Sequence, residues 1–160
     1  TRGCLLALDR IVKLQHGRRG KVLDVGTGSG VLAIAAAKAL RMKVLASDID
    51  PLAVRVAQEN ARLNGVGDLV QAIAATGFSA PEFSRRAPFD LVLANILANP
   101  LRQLATPMAE HLAPAALVIL SGLLPQQAQG VVAAYRARGL ILRKHLQIEG
   151  WSSLLMQRVS

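Results

Sequence analysis

A glycine-rich stretch directly after a short apolar run constrains the fold of this chain more than any other feature. Residues 22–30 read VLDVGTGSG, so four strand-forming positions lead into a loop with glycine at every second position. Glycine carries no Cβ, and it therefore lets another molecule approach the main chain closely. A turn of this kind between a strand and a helix predicts a nucleotide-like cofactor above the loop. The alternative is a turn kept only for tight packing of the strand against the helix.

Length and composition restrict the class of protein. A chain of 160 residues falls within the usual size of one domain and should bury roughly two-thirds of its unfolded surface. Apolar residues make up 52% of the chain, but Arg, Gly, Asp or Pro interrupts every apolar run before it reaches the roughly 18–20 residues of a membrane span. Aliphatic side chains far outnumber aromatic ones, which favours helices packed on a sheet. We expect one soluble domain without a membrane segment.

The single cysteine and the N-terminus bear on location. Cys4 alone cannot form an internal disulfide, which is compatible with a reducing compartment. It lies in an apolar run and is expected to be a small buried residue rather than a nucleophile. The N-terminus lacks the basic, apolar and small-residue segments of a signal peptide, so the default expectation is a cytoplasmic location. The chain opens at Thr1, without an initiator Met, in a segment that predicts a helix, as a fragment of a longer protein would.

The net charge of +9 arises from 19 basic and 10 acidic residues. Such an excess can steer a protein toward RNA, a ribonucleoprotein or an acidic protein. Pairs such as Arg18-Arg19 and Arg85-Arg86 favour instead a charge scattered over helix faces and loops. No basic stripe carries the interleaved aromatic residues of single-stranded nucleic-acid binders. We therefore expect scattered charge and keep RNA contact through a basic surface as the alternative.

Apolar periodicity predicts short strands that alternate with amphipathic helices. The predicted strands span residues 21–26, 43–48, 69–74, 89–95, 116–122, 140–150 and 151–159. The predicted helices span residues 2–14, 31–40, 51–65, 100–112, as one helix or a pair broken at Pro107, and 125–139. Segment 76–88 is rich in Gly, Pro and Ser, so we expect a loop there. The last two strands follow each other through Glu149-Gly150, which predicts a hairpin.

This alternation with short connections predicts an α/β fold. The expected architecture is a doubly wound, mostly parallel sheet of seven strands, with helices on both faces and an antiparallel hairpin at the C-terminus. Ligands in open sheets of this type bind at the carboxyl ends of the strands, where the strand order reverses. The glycine loop, Asp48 and Asn95 each follow a predicted strand. One site can therefore collect all three.

The glycine loop differs from the loop of dinucleotide-binding proteins. Gly26, Gly28 and Gly30 give Gly-x-Gly-x-Gly rather than Gly-x-Gly-x-x-Gly. A helix N-terminus can receive a carboxylate, and an acidic residue such as Asp24 can receive an ammonium group. The stretch DVGTGSG, which includes Thr27, therefore suits a ligand with an amino-acid moiety and an adenosine. S-adenosylmethionine carries both groups.

We predict different roles for two acidic residues, Asp48 and Asp50, at the end of the second strand. Asp48 ends the strand, 22 residues beyond Gly26, and is expected to accept hydrogen bonds from both hydroxyls of a ribose. Ile49 would then lie against the adenine ring. Asp50 is expected to be the N-cap of the next helix, with Pro51 at the first helical position.

Asn95 follows the fourth strand in DLVLANILANPL. Many amino-group methyltransferases have Asn-Pro-Pro-aromatic at this point, which presents oxygen atoms to a nitrogen nucleophile. In this chain Ile96, Leu97 and Ala98 follow instead, so no aromatic ring is available to stack on a nucleobase. We expect Asn95 to be the catalytic residue that faces an amine. The alternative is a polar cap on the next helix.

The chain resembles a known family over essentially all of its 160 residues. The segments TRGCLLALD, VLDVGTGSGVLAIAAAK, SDIDPLAV, ENARLNGV, FDLVLANILANPL, LSGLLPQQ and EGWSSLLMQR occur in the order found in bacterial methyltransferases of the eleventh large-subunit ribosomal protein. The resemblance implies S-adenosylmethionine-dependent trimethylation of lysine side chains and of the N-terminal amine of that protein. It also implies cofactor contacts at Thr1, Gly26, Asp48 and Asn95. The family carries an N-terminal substrate-recognition domain, and residues 1–160 correspond to the methyltransferase domain without it.

Other functions stay open at this point. An RNA methyltransferase of the same fold would use the positive charge, and a non-enzymatic ribosome-associated module would bind the cofactor without turnover. A nicotinamide oxidoreductase is the weakest alternative. No His or Glu stands out as a general base, and no metal site is predicted. We expect surface or structural roles for His16, His111 and His145, and a packing role for Trp151.

Overall fold

A computed structural model of the chain describes residues 1–14 and 20–160. The strands are β1 (Val22–Val25), β2 (Val44–Asp48), β3 (Val70–Ala74), β4 (Phe89–Asn95), β5 (Leu112–Leu123), β6 (Leu140–Ile148) and β7 (Trp151–Arg158). The helices are α1 (Arg2–Leu14), α2 (Val31–Leu40), α3 (Pro51–Leu63), α4 (Pro81–Arg86), α5 (Ala98–Gln103), α6 (Ala105–Glu110) and α7 (Pro125–Arg136). Among these helices, none is long and apolar enough to cross a bilayer. The predictions for His16 and for Arg18-Arg19 fall outside the described residues.

All seven strands form one sheet in the order β3-β2-β1-β4-β5-β7-β6. The strands β1 to β5 pair in parallel, and β7 runs antiparallel to both β5 and β6. The predicted α/β class, the seven strands and the terminal hairpin are therefore confirmed. The hairpin turns through Glu149 and Gly150, which both adopt the left-handed conformation with φ of +52° and +81°. Because β7 inserts between β5 and β6, the edge strand β6 runs parallel to β1 to β5.

Helices cover both faces of the sheet and form two cores with it. The helices α1 to α3 pack on one face, where Leu8 and the small residue Ala36 are buried. The helices α4 to α7 pack on the other face, around Phe83 and Tyr135. Burial of this aliphatic and aromatic surface is the main favourable term in folding, at roughly 25 cal/mol per Å² of apolar area. The two covered faces leave the strand ends as the places where polar side chains can gather.

The predicted start of α3 is confirmed. Asp50 is the N-cap, and its carboxylate accepts a hydrogen bond of 2.9 Å from the backbone N–H of Leu52. Pro51 occupies the first helical position, where its missing N–H is not needed. Asn64 is the C-cap of this helix and is followed by Gly65 with φ of +75°, as the sequence predicts.

Three local predictions are wrong. Segment 76–88 contains the helix α4, because Pro81 starts a turn whose Phe83 is fully buried in the core. The break between α5 and α6 falls at Leu104, since Pro107 lies in the first turn of α6 and does not disrupt it. The strand β5 already begins at Leu112, which the apolar period had assigned to the preceding helix.

The histidines of the described residues have structural contacts. The ring of His111 stacks on Phe78 with centroids 4.8 Å apart, and its Nδ1 lies 2.6 Å from the carbonyl oxygen of Pro107. His145 Nε2 lies 2.8 Å from the hydroxyl of Ser152. The predicted structural roles of both histidines are confirmed.

The prediction for Cys4 is confirmed, and the prediction for Trp151 is wrong. Cys4 is fully buried, and burial raises the pKa of its thiol to about 11, so it is a core residue as predicted. The packing role predicted for Trp151 is wrong, because 53% of its surface is exposed. Trp151 pairs with Ile148 directly beside the hairpin turn.

Tyr135 provides a test of the α5–α7 packing. Its buried hydroxyl donates a hydrogen bond of 2.8 Å to the carbonyl oxygen of Leu101. Tyr135→Phe leaves that carbonyl without its partner and should lower the free energy of unfolding by about 1–2 kcal/mol in urea titrations. The exposed change Arg136→Gln on the same helix is the control, with an expected effect within about 0.5 kcal/mol. Equal stability of Tyr135→Phe and the unchanged chain would contradict this contribution.

Candidate active site

The carboxyl ends of β1, β2 and β4 lie side by side because these strands are parallel neighbours. In the register, Val25 of β1 faces Ser47 of β2 on one side and Ala94 of β4 on the other. The chain reaches the glycine loop, Asp48 and Asn95 at or directly after these positions. The structure therefore brings the predicted site residues to one edge of the sheet.

Backbone hydrogen bonds hold the glycine loop in place. The N–H groups of Gly26 and Thr27 both donate to the carbonyl oxygen of Ser47, at 2.8 and 2.9 Å. Gly26, Gly28 and Gly30 all adopt the left-handed conformation, with φ of +71°, +56° and +88°. Residues with a Cβ rarely adopt this conformation, so the loop requires glycine at each position.

The surroundings of the three glycines show which of them packing requires and which leaves space for a ligand. A Cβ on Gly26 would lie 2.3 Å from the side chain of Ile96, and one on Gly30 would lie 3.1 Å from the Cβ of Ala57. A Cβ on Gly28 would meet no protein atom within 4 Å. Tight packing thus accounts for Gly26 and Gly30. It does not account for Gly28, whose main chain is open to a ligand.

Asp24 is a buried carboxylate that lacks a full set of donors. Only 1% of the residue is exposed, and its Oδ2 accepts a hydrogen bond of 2.7 Å from the Thr27 hydroxyl. Its Oδ1 has no hydrogen-bond partner among the described residues. Burial raises the pKa of Asp24 to about 7, against smaller lowering effects of the Thr27 hydroxyl and the backbone N–H of Ala33. A cationic donor that reached this oxygen would satisfy it and restore the ionised form.

Asp48 is held in a fixed orientation beside the loop. Its Oδ2 accepts a hydrogen bond of 2.9 Å from the N–H of Gly28, and its Oδ1 accepts one of 3.0 Å from the N–H of Asp50. Each carboxylate oxygen can accept a second hydrogen bond. The neighbouring side chain of Ile49 is 72% exposed at the same edge. The pair can offer two acceptors to a diol and an apolar surface to a flat ring.

Asn95 lies at the end of β4, next to the first residue of the chain. Its Nδ2 donates a hydrogen bond of 3.0 Å to the hydroxyl of Thr1, which brings these two predicted site residues together. A Cβ on Gly122 of β5 would lie 2.6 Å from the carbonyl oxygen of Ile96 and 3.2 Å from Asn95 Oδ1. Gly122 therefore makes room for the Asn95 loop. Gly122 is a site residue that sequence patterns did not predict, although a glycine at the end of a strand is a signal that could have indicated it.

A small cavity adjoins Thr1 and was not predicted. It encloses about 170 Å³ and is lined by Thr1, Arg2, Gly3, Ser121, Ile148, Glu149, Trp151 and Ser153. An ion pair of 2.8 Å between Arg2 and Glu149 spans α1 and the hairpin at its side. The cavity depends on the pairing of β5 with β7, which no local sequence pattern reports.

Asp24 makes the stability of the protein depend on pH. Its pKa is raised on folding, so its contribution destabilises the fold progressively as the pH rises from about 4 to 7, and is absent below pH 4. Asp24→Asn should therefore raise the free energy of unfolding by roughly 2–4 kcal/mol at pH 8 and by little at pH 4, measured in urea. Asp50→Asn, a conservative change of an exposed N-cap, is the control. A gain that did not vary with pH would contradict the raised pKa.

Comparison with known proteins places these residues in a family. The family model "Ribosomal protein L11 methyltransferase (PrmA)" matches residues 1–159. A ribosomal protein L11 methyltransferase of Bradyrhizobium diazoefficiens is 69% identical over 159 residues, which cover 99% of this chain and 53% of that protein. A second, of Rhodopseudomonas palustris, is 69% identical over 158 residues with the same coverage. The chain spans about half the length of the curated relatives it matches.

Solved structures agree with the family match. The crystal structure of a ribosomal protein L11 methylase from Lactobacillus delbrueckii subsp. bulgaricus superposes with a TM-score of 0.87 at 30% identity, over 100% of this chain and 79% of that chain. An RNA methyltransferase from Salinibacter ruber, in complex with S-adenosyl-L-homocysteine, gives 0.72 at 21% identity over 97% and 92%. The second likeness shows the shared fold alone. The match over nearly the whole sequence shows that this chain belongs to the ribosomal protein L11 methyltransferase family.

Proposed function

We propose that this chain is the S-adenosylmethionine-binding domain of an enzyme that methylates amino groups of ribosomal protein L11. Membership of the family supports the reaction and the substrate. The observation that carries the cofactor assignment is the open main chain of Gly28, which lies between the incompletely bonded carboxylate of Asp24 and the oriented carboxylate of Asp48.

The chemistry of these residues fits S-adenosylmethionine group by group. The ammonium group of the cofactor would satisfy Asp24, directly or through a water molecule, and its carboxylate would lie near the N-terminus of α2. The ribose hydroxyls would donate to Asp48, and the adenine ring would contact Ile49. Thr27 would hold Asp24 in place from the other side of its carboxylate. When bound, the cofactor supplies an electrophilic methyl group at its sulfonium centre.

Asn95 would position the amine that accepts the methyl group. The hydrogen bond from its Nδ2 to Thr1 fixes the amide, so that its Oδ1 can accept a hydrogen bond from a neutral amine. A lysine ammonium group has an ordinary pKa of about 10.4, and it must lose a proton before its lone pair is free. Partial desolvation at the half-buried Asn95 favours the neutral amine. The remaining contribution is orientation of the reacting groups.

The substrate assignment goes further than the family name. We propose that the acceptors are lysine side chains and the N-terminal amine of ribosomal protein L11, each methylated up to three times, in the cytoplasm. The residues that follow Asn95, Ile96 to Ala98, carry no aromatic ring, which favours an aliphatic amine over a nucleobase. Residues 1–160 would form the cofactor domain, and the additional length of the curated relatives would contain the substrate-recognition domain.

Two glycine substitutions test the cofactor site against the packing alternative. Gly28→Ala places a methyl group in open space and should weaken binding of S-adenosylhomocysteine at least tenfold in calorimetry, with only about 1 kcal/mol lost in stability. Gly26→Ala clashes with Ile96 and should instead lower stability by more than Gly28→Ala does. Unchanged affinity of Gly28→Ala would contradict a cofactor at this loop.

Substitutions at Asp48 and Asn95 separate binding from turnover. Asp48→Asn should weaken binding of S-adenosylhomocysteine by about 1.5–3 kcal/mol, because charge-assisted hydrogen bonds to the ribose are lost.

Asn95→Ala should slow methyl transfer to purified ribosomal protein L11 more than it weakens cofactor binding, with methyl addition followed by mass spectrometry. Loss of affinity without loss of turnover in Asn95→Ala would make Asn95 only a cofactor contact. Cofactor binding without methylation of L11 by this domain joined to the additional length that the curated relatives carry would overturn the proposed reaction.

A further inference from the structure

Basic side chains concentrate at the end of the sheet opposite the active site. In this fold each helix returns to the start of the next strand, so helices end where strands begin. Basic residues occupy the last turn of helices that run toward this end: Lys13, Lys38, Arg62, Arg85, Arg86 and Arg136. The scattered charge expected from the sequence therefore does not describe this end, because the topology gathers residues that lie far apart along the chain.

Five of the basic residues at this end form what we call the base patch. The base patch consists of Lys21, Lys38, Arg41, Lys43 and Arg86. Lys21 and Lys43 directly precede Val22 and Val44, which face each other in the register of β1 and β2. Neighbouring strands are about 4.8 Å apart, so these two lysines start from adjacent positions. Lys38 joins the patch at the end of α2, where its Nζ lies 3.4 Å from Asn64 Oδ1.

Arg86 extends the base patch across the start of the sheet. Arg86 and Lys43 line one surface depression, and the guanidinium of Arg86 donates a hydrogen bond of 2.6 Å to the side chain of Gln71. Asp68 lines the same depression. The carboxylate of Asp90 accepts the backbone N–H of Lys21 at 2.9 Å. The base patch therefore contains five cationic side chains, and two carboxylates, those of Asp68 and Asp90, lie beside it.

The base patch differs from the other basic residues at this end in its ion pairing. Lys13 pairs with Asp9 at 2.8 Å, and Arg62 pairs with Glu59 at 2.6 Å. Arg85 lies 3.4 Å from a carboxylate on its own helix. Within the part of the chain that the structure describes, no acidic oxygen lies within 4 Å of a cationic nitrogen of the base patch. These charges are available to a partner.

Stabilisation of helix ends does not explain the whole patch. A cation in the last turn of a helix interacts favourably with the helix dipole, which accounts for Lys38. Lys21 and Lys43 precede strands and gain nothing from this effect. Arg41 follows α2 with φ of +55°, a left-handed position at which glycine is the unstrained choice. Its side chain is exposed there.

We propose that the base patch binds the phosphate backbone of double-stranded RNA. Exposed lysine and arginine side chains neutralise phosphates and release counterions, which requires no sequence readout. The patch contains no aromatic residue on which single-stranded bases could stack. A protein partner is less well matched, because interface centres are rich in aromatic anchors, and the exposed large aromatic residue among those described, Trp151, lies at the opposite end.

The position of the base patch leaves the active site free. The lysines lie at the start of β1 and β2, and Asp24 and Asp48 lie at their ends. Strands of four and five residues separate the two ends by roughly 13–17 Å. RNA bound at the base would hold the enzyme with its catalytic edge turned toward a protein substrate. The proposal does not depend on the methylation reaction, since either can fail alone.

The test is the salt dependence of binding to a labelled RNA duplex of about 16 base pairs, the span of a typical duplex-binding domain. Fluorescence anisotropy compares the 160-residue chain with the variant Lys21→Gln/Lys38→Gln/Arg41→Gln/Lys43→Gln. Five phosphate contacts predict a loss of roughly 10²–10³ in affinity between 50 and 200 mM salt. The variant should bind at least about tenfold more weakly at 100 mM salt, with a slope lower by about 2–4 in log–log form.

A control variant with the same change in charge isolates the patch. Arg10→Gln/Arg55→Gln/Arg143→Gln/Lys144→Gln removes four exposed cations from other surfaces and should retain the affinity and the slope of the unchanged chain. Equal weakening of both variants would show diffuse charge attraction and overturn the proposal. Absence of binding by the unchanged chain at 50 mM salt, or tighter binding of polyglutamate than of RNA, would also overturn it. Binding of S-adenosylhomocysteine and urea unfolding should be the same in all three proteins, and the double variant Lys21→Gln/Lys43→Gln replaces the quadruple one if that does not fold.

Discussion

The rest of the candidate active site depends on Asp24, a carboxylate buried beneath a glycine turn. One oxygen of this carboxylate has no hydrogen-bond donor among the described residues. Such a group is costly in a folded protein, because burial without compensation disfavours its charge. Asp24 carries this cost at the end of the central strand β1, below a loop that two hydrogen bonds to Ser47 hold in place. Gly26 in that loop packs against Ile96 so closely that a Cβ would clash with it. We propose that a ligand with its own cationic group completes the site.

The neighbouring strands supply the other parts of the site because the sheet is parallel. Parallel strands end at one edge, so Asp48 of β2 and Asn95 of β4 lie on either side of the loop. Backbone N–H groups orient the carboxylate of Asp48, and Thr1 orients the amide of Asn95. The cofactor groups and the amine acceptor would therefore meet side chains that are already positioned. Preorganisation of this kind reduces the cost of ordering the reacting groups.

Sequence patterns predicted the sheet and the residues at the ends of its strands, because local chemistry determines both. A buried strand followed by glycine, and an Asp-Pro pair at a helix start, act over a few residues. The patterns failed where tertiary contacts decide the structure. Phe83 becomes helical through burial in the core, and Trp151 stays half exposed beside the hairpin turn. Glycine is required at position 122 because the loop after β4 packs against it. The contacting residue of that loop, Ile96, lies 26 residues earlier in the chain.

The two ends of the sheet differ in charge for the same topological reason. Asp24, Asp48 and Asp50 lie at the strand ends beside the candidate active site, whereas the base carries the five cations of the base patch, none of which forms an ion pair among the described residues. The net charge of the whole sequence does not show this difference between the two ends of the sheet. This division underlies both proposals, a cofactor site at one end of the sheet and an RNA-binding surface at the other.

The most direct test of this account is the titration of the Asp24 side-chain carboxyl by carbon NMR, in the free protein and with S-adenosylhomocysteine. In the free protein the midpoint should lie at about 7, as burial dictates. In the complex the ammonium group of the ligand should lower the midpoint by at least about one pH unit, because it favours the ionised carboxylate. A midpoint that did not move when the ligand bound would contradict the role of Asp24 in completing the cofactor site.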